Sequence, residues 1–204
     1  MKPKIQLLII TAFLVVMVSC KSNEDINKNP NDGMVENNLF NQFDASEKNK
    51  FGKLNPDAPE QTKQFNFMVG EFNCDDSMLV NGEWVYSKAT WNSKYILNGY
   101  AVEDTYRNET YAGMSNRYFN TKKNKWDVYF FGMPGEHFGL WEGEKVGDKM
   151  IMRQKRKGQG NKDFESILTF YDITDSSFKW KGGIKNIEKD TLIINWKISA
   201  KRKK

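Results

Sequence analysis

The sequence predicts an all-β fold, an antiparallel up-and-down β-barrel of about eight to ten strands. Two Asn-Gly pairs, Asn81-Gly82 and Asn98-Gly99, lie between runs rich in β-branched and aromatic residues, and Asn-Gly is the strongest short signal for a β-hairpin. Apolar and polar residues alternate along several of these runs, so that each run has one apolar face and one polar, solvent-facing face. Long helical patterns and long connections are nearly absent, which favours an up-and-down barrel over a Greek-key sandwich.

Further turn signals divide the second half of the chain into short strands. Thr121–Asn124, Gly147-Asp148 and Thr174–Ser177 combine the polar and small residues that favour turns. The predicted strands are 71–80, 83–97, 100–107, 114–120, 125–132, 138–145, 149–157, 164–173, 178–185 and 191–200.

The amino-terminal residues 1–19 predict a cleaved signal peptide. Two lysines near the start precede the run Leu7–Val18, which is apolar except for one threonine. This pattern is typical of a secretory signal, and the run is shorter than the about 20 residues that a membrane-spanning helix needs. Ser19 then places a small residue directly before Cys20. An ordinary exported protein, in which Cys20 is incidental, is the alternative.

The Val18-Ser19-Cys20 end of this segment resembles the cleavage box of bacterial lipoproteins. The resemblance implies cleavage before Cys20, diacylglycerol on its sulfur and a fatty acid such as palmitate on its new amino group. Two or more acyl chains hold a protein stably on a membrane where one does not. Lys21, rather than Asp, follows the cysteine, which by resemblance to lipoprotein sorting rules implies the outer membrane. The expected partner of the chain is therefore the membrane, with the domain facing the periplasm or the cell surface.

Residues 20–62 predict a lipidated cysteine followed by a disordered polar tether. The segment is rich in Asn, Asp, Glu and Lys and has too few apolar residues to bury much surface. Leu39, Phe40 and Phe43 fall at helical spacing and form a candidate short docking helix. The barrel domain is expected over 63–204, with Cys74 buried as a small hydrophobic residue.

The net charge of +5 does not predict a nucleic-acid partner. Two of the surplus charges, Lys2 and Lys4, lie in the predicted signal peptide, and four form the tail Lys201–Lys204. The part between them is close to neutral, whereas a nucleic-acid-binding domain carries a basic face of its own. The basic run Arg153–Lys157 can contact anionic headgroups or an acidic partner, or it can be a solvated strand end, which we favour.

Several short motifs resemble those of a known family. Its opening F-x-F-x-x-G-x-W block is similar to Phe65–Phe72, with Phe72 where Trp is usual. The further matches are Leu97-Asn98-Gly99-Tyr100, Arg117-Tyr118-Phe119-Asn120 running to Lys125-Trp126, and Asp172-Ile173-Thr174-Asp175-Ser176-Ser177-Phe178-Lys179-Trp180. Over residues 64–202 the chain thus resembles the lipocalin-like, calycin-like bacterial family usually labelled a domain of unknown function. The resemblance implies an antiparallel barrel and no established activity.

No pattern of residues favours an enzyme. The sequence has no Gly-x-Ser-x-Gly motif, and Glu103 and Asp104 are neighbours on a predicted strand, where they point to opposite faces. One histidine and two cysteines exclude a zinc ribbon or a multi-histidine cage, and Asp75-Asp76 is too small a group for a metal site. Some calycin-like barrels hold a haem through one histidine, but we favour His137 as a loop or strand-end residue with one hydrogen bond. No cofactor is therefore predicted.

Aromatic residues on the expected inner faces predict either a filled core or a ligand site. A barrel of this size holds packed side chains or one small ligand. The predicted ligand-binding residues are Arg117, Trp126, Phe130, Tyr171, Trp180 and Trp196.

Strand parity places Arg117 in this set. If the turn between strands 114–120 and 125–132 has an even number of residues, Phe119 lies opposite Trp126 and Arg117 opposite Val128. Arg117 then points into the barrel, where it needs an anion or a solvated exit because it cannot shed its charge.

A similar parity argument expects Tyr171 on the face of Trp180. An Arg and a Tyr inside the barrel resemble the carboxylate site of fatty-acid-binding members of the wider superfamily. The hypothesis is that Arg117, with Tyr171, holds the acidic head of an amphipathic ligand. The alternatives are that Arg117 lies at the barrel rim, or that it pairs with Glu103 or another acid.

The function that these observations favour is binding of a small apolar or amphipathic ligand by a membrane-anchored barrel. The alternative is a non-enzymatic interaction module of an envelope assembly, with a filled barrel. Tyr129 and Phe131 favour that alternative, because they fall on the face opposite Trp126 and would expose apolar surface.

Overall fold

The structure, a computed structural model, describes residues 52–204 except Glu136 and 159–162. The predicted signal peptide, Cys20 and the Leu39–Phe43 segment lie outside the described residues. Within them, ten strands follow a short 3₁₀-helix. The strands are β1 (Gly70–Val80), β2 (Glu83–Ile96), β3 (Ala101–Arg107), β4 (Ala112–Asn120), β5 (Lys125–Met133), β6 (His137–Val146), β7 (Lys149–Lys157), β8 (Asp163–Tyr171), β9 (Ser177–Asn186) and β10 (Thr191–Arg202).

The ten strands form a closed up-and-down barrel. Each strand pairs antiparallel with its neighbour in sequence, and β1 pairs with β10 to close the ring. This barrel confirms the predicted fold class. The turn signals in the sequence divide the chain where the connections between strands lie. In the described ranges, no helix has the length and apolar character needed to cross a bilayer.

The two Asn-Gly pairs have different roles. Asn81-Gly82 forms the expected two-residue hairpin, with φ of 52° and 88°, both in the left-handed region that a type I′ turn requires. Asn98-Gly99 belongs instead to the 3₁₀-turn Leu97–Gly99. Gly99 has φ of 85°, and the backbone of Asn55 occupies the place where a side chain at position 99 would lie. Glycine is required here because another segment packs directly on the turn.

A 3₁₀-helix at Glu60–Met68, the plug helix, closes the end of the barrel at which β1 begins. Phe65 and Met68 are fully buried. The Phe65 ring makes edge contacts with Trp126 and Phe170, at centroid distances of 4.7 and 5.9 Å. The opening F-x-F motif therefore forms the lower core of the barrel, and the first strand starts only after it.

The ordered body begins before residue 63, the domain boundary that the sequence suggests. Asn55 is buried, and its backbone N–H and side-chain amide donate to the carbonyls of Gly99 and Asn98 at 3.3 and 3.0 Å. Leu54 packs against the core, and Thr62 is fully buried. The last part of the predicted tether thus belongs to the barrel domain. A segment with few apolar residues can pack there because its backbone groups find hydrogen-bond partners.

The register between β4 and β5 is the one that parity predicts. Asn120 pairs with Lys125 across an even-numbered turn, 121–124. Phe119 therefore lies opposite Trp126, and Arg117 lies opposite Val128 on the inner face.

The expected position of Tyr171 is wrong. Tyr171 pairs with Lys179 on the outer face, and Phe170, fully buried, pairs with Trp180 on the inner face. The connection 172–176 has an odd number of residues and begins with Asp172 at φ of 49°, which reverses the expected parity. Outside the barrel, Lys181 Nζ lies 5.2 Å from the centroid of the Tyr171 ring.

A β-bulge sets the register between β9 and β10. Asn186 pairs with Thr191 across an even-numbered turn, which alone would place Trp180 and Trp196 on opposite faces. The bulge between Ile194 and Trp196 inserts one residue and changes the parity. The two tryptophans therefore share the inner face, as the alternation predicts, and their rings make an edge contact at 5.3 Å.

We expect Phe65→Ala to destabilise the domain by about 3–5 kcal/mol, because it empties the space beneath the barrel. Urea unfolding followed by tryptophan fluorescence measures this. Tyr86→Ala, at a side chain that is 78% exposed, is the control and should change the free energy of unfolding by less than about 0.5 kcal/mol. Equal effects of the two substitutions would contradict the role of the plug helix.

Candidate functional site

The barrel encloses a cavity of about 500 Å³ between the plug helix and the opposite, open end. Aromatic and aliphatic side chains line its walls together with a few polar ones. The aromatic lining residues are Trp91, Tyr106, Tyr111, Phe130, Phe138, Trp141, Trp180 and Trp196. Apolar walls with a few placed polar groups are typical of small-molecule sites.

The floor of this cavity is a buried ion pair. Arg117 on β4 and Asp104 on β3 are 3% and 2% exposed, and Nη1 of the arginine donates to Oδ1 of the aspartate. Trp91 Nε1 donates to the other carboxylate oxygen at 2.7 Å. Beneath the pair, the guanidinium carbon lies 5.0 Å from the centroid of the Phe65 ring. The floor thus separates the cavity from the aromatic core around the plug helix.

One donor of the floor has no partner. Arg117 Nη2 donates to Ser115 Oγ at 3.4 Å, whereas the buried Nε–H has no acceptor among the described residues. A buried donor without a partner costs about 1–3 kcal/mol. Ser166 adds a second buried hydroxyl to the cavity wall.

A second buried carboxylate, Asp76 on β1, holds its place through neutral donors. It is 3% exposed, and it accepts hydrogen bonds from Trp196 Nε1 at 2.6 Å and the Tyr106 hydroxyl at 2.7 Å. Ser87 and Asn108 donate at 3.2 and 3.1 Å. Four hydrogen bonds compensate for much of the desolvation of this carboxylate. They also fix the two cavity rings that donate to it.

The tyrosines of the cavity are neutral at physiological pH. Burial, and then the hydrogen bond to Asp76, raises the pKa of Tyr106. Burial also raises the pKa of Tyr111 to about 12. Both side chains therefore present phenols, not phenolates, to anything inside the barrel.

The mouth of the cavity lies where β6 and β7 separate. Their ladder runs from Glu142–Arg153 to Val146–Lys149, and beyond it the Gln154 amide donates to the Leu140 carbonyl at 3.2 Å. His137 starts β6 and lines this mouth, so the expected strand-end position is confirmed. Within the described ranges, no group of three or more His, Cys, Asp or Glu side chains is placed to hold a metal ion.

The predicted site residues divide into three sets. Phe130, Trp180 and Trp196 line the cavity. Trp126 is fully buried beneath it, where it packs on the plug helix and donates to Gln64 Oε1 at 3.0 Å. Tyr171 lies outside the barrel and leaves the set.

Arg117 points inwards as predicted, and it pairs with Asp104, which agrees with the expected alternative of pairing with an acid. The hypothesis of a ligand carboxylate at Arg117 stays a prediction. Such a carboxylate would have to share one cation with Asp104.

Two outer surfaces complete the description of the predicted features. Tyr129 and Phe131 are 44% and 45% exposed, and the Phe131 ring lies 5.2 Å from that of Phe138, so the expected outer apolar surface is present. In the basic run, Arg153 pairs with Glu165 at 3.3 Å, and Lys157 pairs with Asp163 at 2.8 Å.

Sequence reasoning missed the two buried carboxylates. Asp76 follows Cys74 by two positions, so the expected burial of the cysteine already placed the aspartate on the inner face. Asp104 lies between Val102 and Tyr106 at the same spacing. The period-two signal was present for both, but an inward carboxylate is recognised only when its partner on another strand is known.

We expect Cys74 to resist thiol reagents in the native protein. Burial, and then the charges of Asp76 and Asp75, raises the pKa of its thiol to about 12, so almost no thiolate is present at pH 8. In the Cys20→Ala variant, where Cys74 is the one cysteine, DTNB should react at least about a hundredfold more slowly than after unfolding in urea. Because the folded pKa exceeds the unfolded one, this contribution to stability is present below pH 9 and is lost towards pH 12. Similar rates in both states would contradict the burial.

Comparisons with known proteins add no relative to this description. No protein-family model matches the chain, and a search of curated proteins gave no match. The resemblance of residues 64–202 to the lipocalin-like family therefore stays an expectation about ancestry, whereas the closed ten-stranded barrel is a property of the structure.

Proposed function

We propose that the barrel binds a small, largely apolar ligand in its central cavity. The observation that carries this proposal is the aromatic-walled space of about 500 Å³ above the Asp104–Arg117 floor. The alternative, an interaction module with a filled barrel, would leave this space unexplained. The resemblance to the lipocalin-like family agrees with a barrel fold and adds no ligand to this proposal.

The volume limits the size of the ligand. At about 30 Å³ for each water-sized group, the cavity holds on the order of 15–20 non-hydrogen atoms. Most of the ligand would contact rings and aliphatic side chains, and burial of its apolar surface contributes roughly 25 cal/mol per Å². The ligand class is therefore a medium-length acyl chain or a compound of two or three rings.

We further propose that the domain works at a membrane of the cell envelope, held there through Cys20. The Val18-Ser19-Cys20 box and the apolar run before it support this anchor. A polar tether between Cys20 and the plug helix would let the open end of the barrel reach lipids or periplasmic solutes.

N-phenyl-1-naphthylamine tests the cavity, because this neutral three-ring dye has a suitable size and fluoresces in apolar surroundings. We expect saturable binding by the wild-type domain. Ser166→Phe places a ring in the cavity and should weaken binding at least about tenfold. The matched control is Ile167→Phe on the same strand, where the side chain faces outwards beside Arg153, and it should leave binding unchanged.

Circular dichroism and thermal melts establish that both variants fold. Absence of saturable binding by the wild type would overturn the proposed function, as would equal binding by the two phenylalanine variants.

Cys20→Ala tests the anchor. The substitution removes the acylated sulfur, so we expect the lipid modification to disappear from the intact mass, and the protein to leave the membrane fraction after a high-salt wash. Salt is needed because the basic tail Lys201–Lys204 can hold some protein by screened electrostatics. If the variant stays with membranes in high salt, acylation of Cys20 is not the anchor.

A further inference from the structure

We propose that the cavity floor binds an uncharged hydrogen-bonding group of the ligand, such as a hydroxyl, ester or amide, and discriminates against a carboxylate. The inference rests on the proposed function and names the ligand class of the same site. Its basis is the Asp104–Arg117 pair together with Ser115 and Ser166, all of which line the cavity.

The first step is the charge of the floor. Arg117 and Asp104 neutralise one another at 4% and 3% side-chain exposure, so the pair presents dipoles but no net charge. A carboxylate that entered beside Arg117 would compete with Asp104 for one cation, and one of the two anions would stay buried and unpaired. Asp76, whose recorded partners are neutral donors, adds a second negative charge to the same interior.

The second step concerns cations. An ammonium head needs an anion, but Asp104 already has a cation, because Oδ1 accepts from Arg117 while Oδ2 accepts from Trp91 at 2.7 Å. The guanidinium beside these oxygens repels a second cation at short range. The floor therefore disfavours both signs of charge.

The third step is what remains available. Arg117 and Asp104 line the cavity, and Nη1 and Oδ1 of their contact keep donor and acceptor capacity beyond that one hydrogen bond, so a neutral ligand group can bind the pair without separating it. The Ser115 and Ser166 hydroxyls, which also line the cavity, can donate to or accept from the same group. A wholly apolar ligand would make no such hydrogen bond and would bind more weakly than its alcohol.

The test compares decan-1-ol, decanoate and decylammonium, which share one alkyl chain and differ only in the head. Displacement of N-phenyl-1-naphthylamine at neutral pH and fixed salt gives the three affinities. For the wild type we expect decan-1-ol to bind at least about tenfold more tightly than either ion, since a misplaced buried charge outweighs one hydrogen bond.

Asp104→Asn is the decisive variant. It removes the competing anion, keeps the shape of the side chain and leaves Arg117 without a counter-ion. A charge-assisted hydrogen bond then becomes available to the ligand, so the affinity for decanoate should rise about ten- to a hundredfold, with little change for decan-1-ol.

The matched control is Asp127→Asn, which removes the same charge from the outer face. Asp127 accepts there from Asn120 and Lys123, both at 2.9 Å. It should leave the order of the three affinities as in the wild type.

Asp104→Asn leaves a buried arginine unpaired and can fail to fold, so a second variant removes both charges. Asp104→Leu combined with Arg117→Met keeps an apolar floor of similar volume, a replacement that buried ion pairs often tolerate. Its affinity for decan-1-ol should fall about tenfold more than its affinity for N-phenyl-1-naphthylamine.

The outcomes separate the two proposals. If none of the probes binds the wild type, ligand binding and this inference both fail. If the dye binds but decanoate equals or exceeds decan-1-ol, only the uncharged-head inference is overturned. It is also overturned if Asp104→Asn folds and leaves decanoate affinity unchanged, or if the double variant binds decan-1-ol as the wild type does.

Discussion

The buried contact between Arg117 and Asp104 is the interaction on which the interior of this barrel depends. An arginine cannot lose its charge at neutral pH, so an inward position at 3% exposure requires a nearby anion. Asp104 supplies it from the adjacent strand, and the Phe65 ring beneath the guanidinium adds a cation–π contact. The pair therefore couples two strands to the plug helix. It also divides the barrel into a packed lower half and an open upper half.

The two buried aspartates solve the same desolvation problem in different ways. Asp104 has a cation, whereas Asp76 has four neutral donors that come from three strands and a loop. Hydrogen bonds to a charged group contribute more than those between neutral groups, so either set can hold a carboxylate in an apolar interior. The neutral set brings no cation to Asp76, and the paired set leaves Arg117 already neutralised at the floor. This arrangement is the basis of the proposed preference for an uncharged group.

The fold was predictable from the sequence because hairpin turns and period-two alternation are local signals. Asn81-Gly82 and the even turn after Asn120 gave the correct register without any tertiary information. The prediction for Tyr171 was wrong because one residue more or fewer in a loop changes which residues of two paired strands share a face. No sequence pattern shows that Asp172 takes a left-handed conformation. The sequence could not identify the partner of Arg117 for a related reason. Asp104 pairs opposite Ser115, one diagonal step from the arginine, and only the assembled sheet shows which acid lies there.

The open upper half depends on glycines in the strands that face inwards. Gly113 on β4 pairs with Gly132 on β5, and Gly139 on β6 pairs with Phe130. A side chain at position 113 would lie 3.0 Å from the Phe130 ring, which leans over this glycine patch. Glycine within a strand weakens the strand and marks a place where another group approaches closely. Three such positions on one side of the barrel lower the stability of the sheet, and a filled barrel would not need them. This loss of sheet stability is consistent with a space kept for a ligand, since the aromatic rings that could fill the space lie against the barrel walls instead.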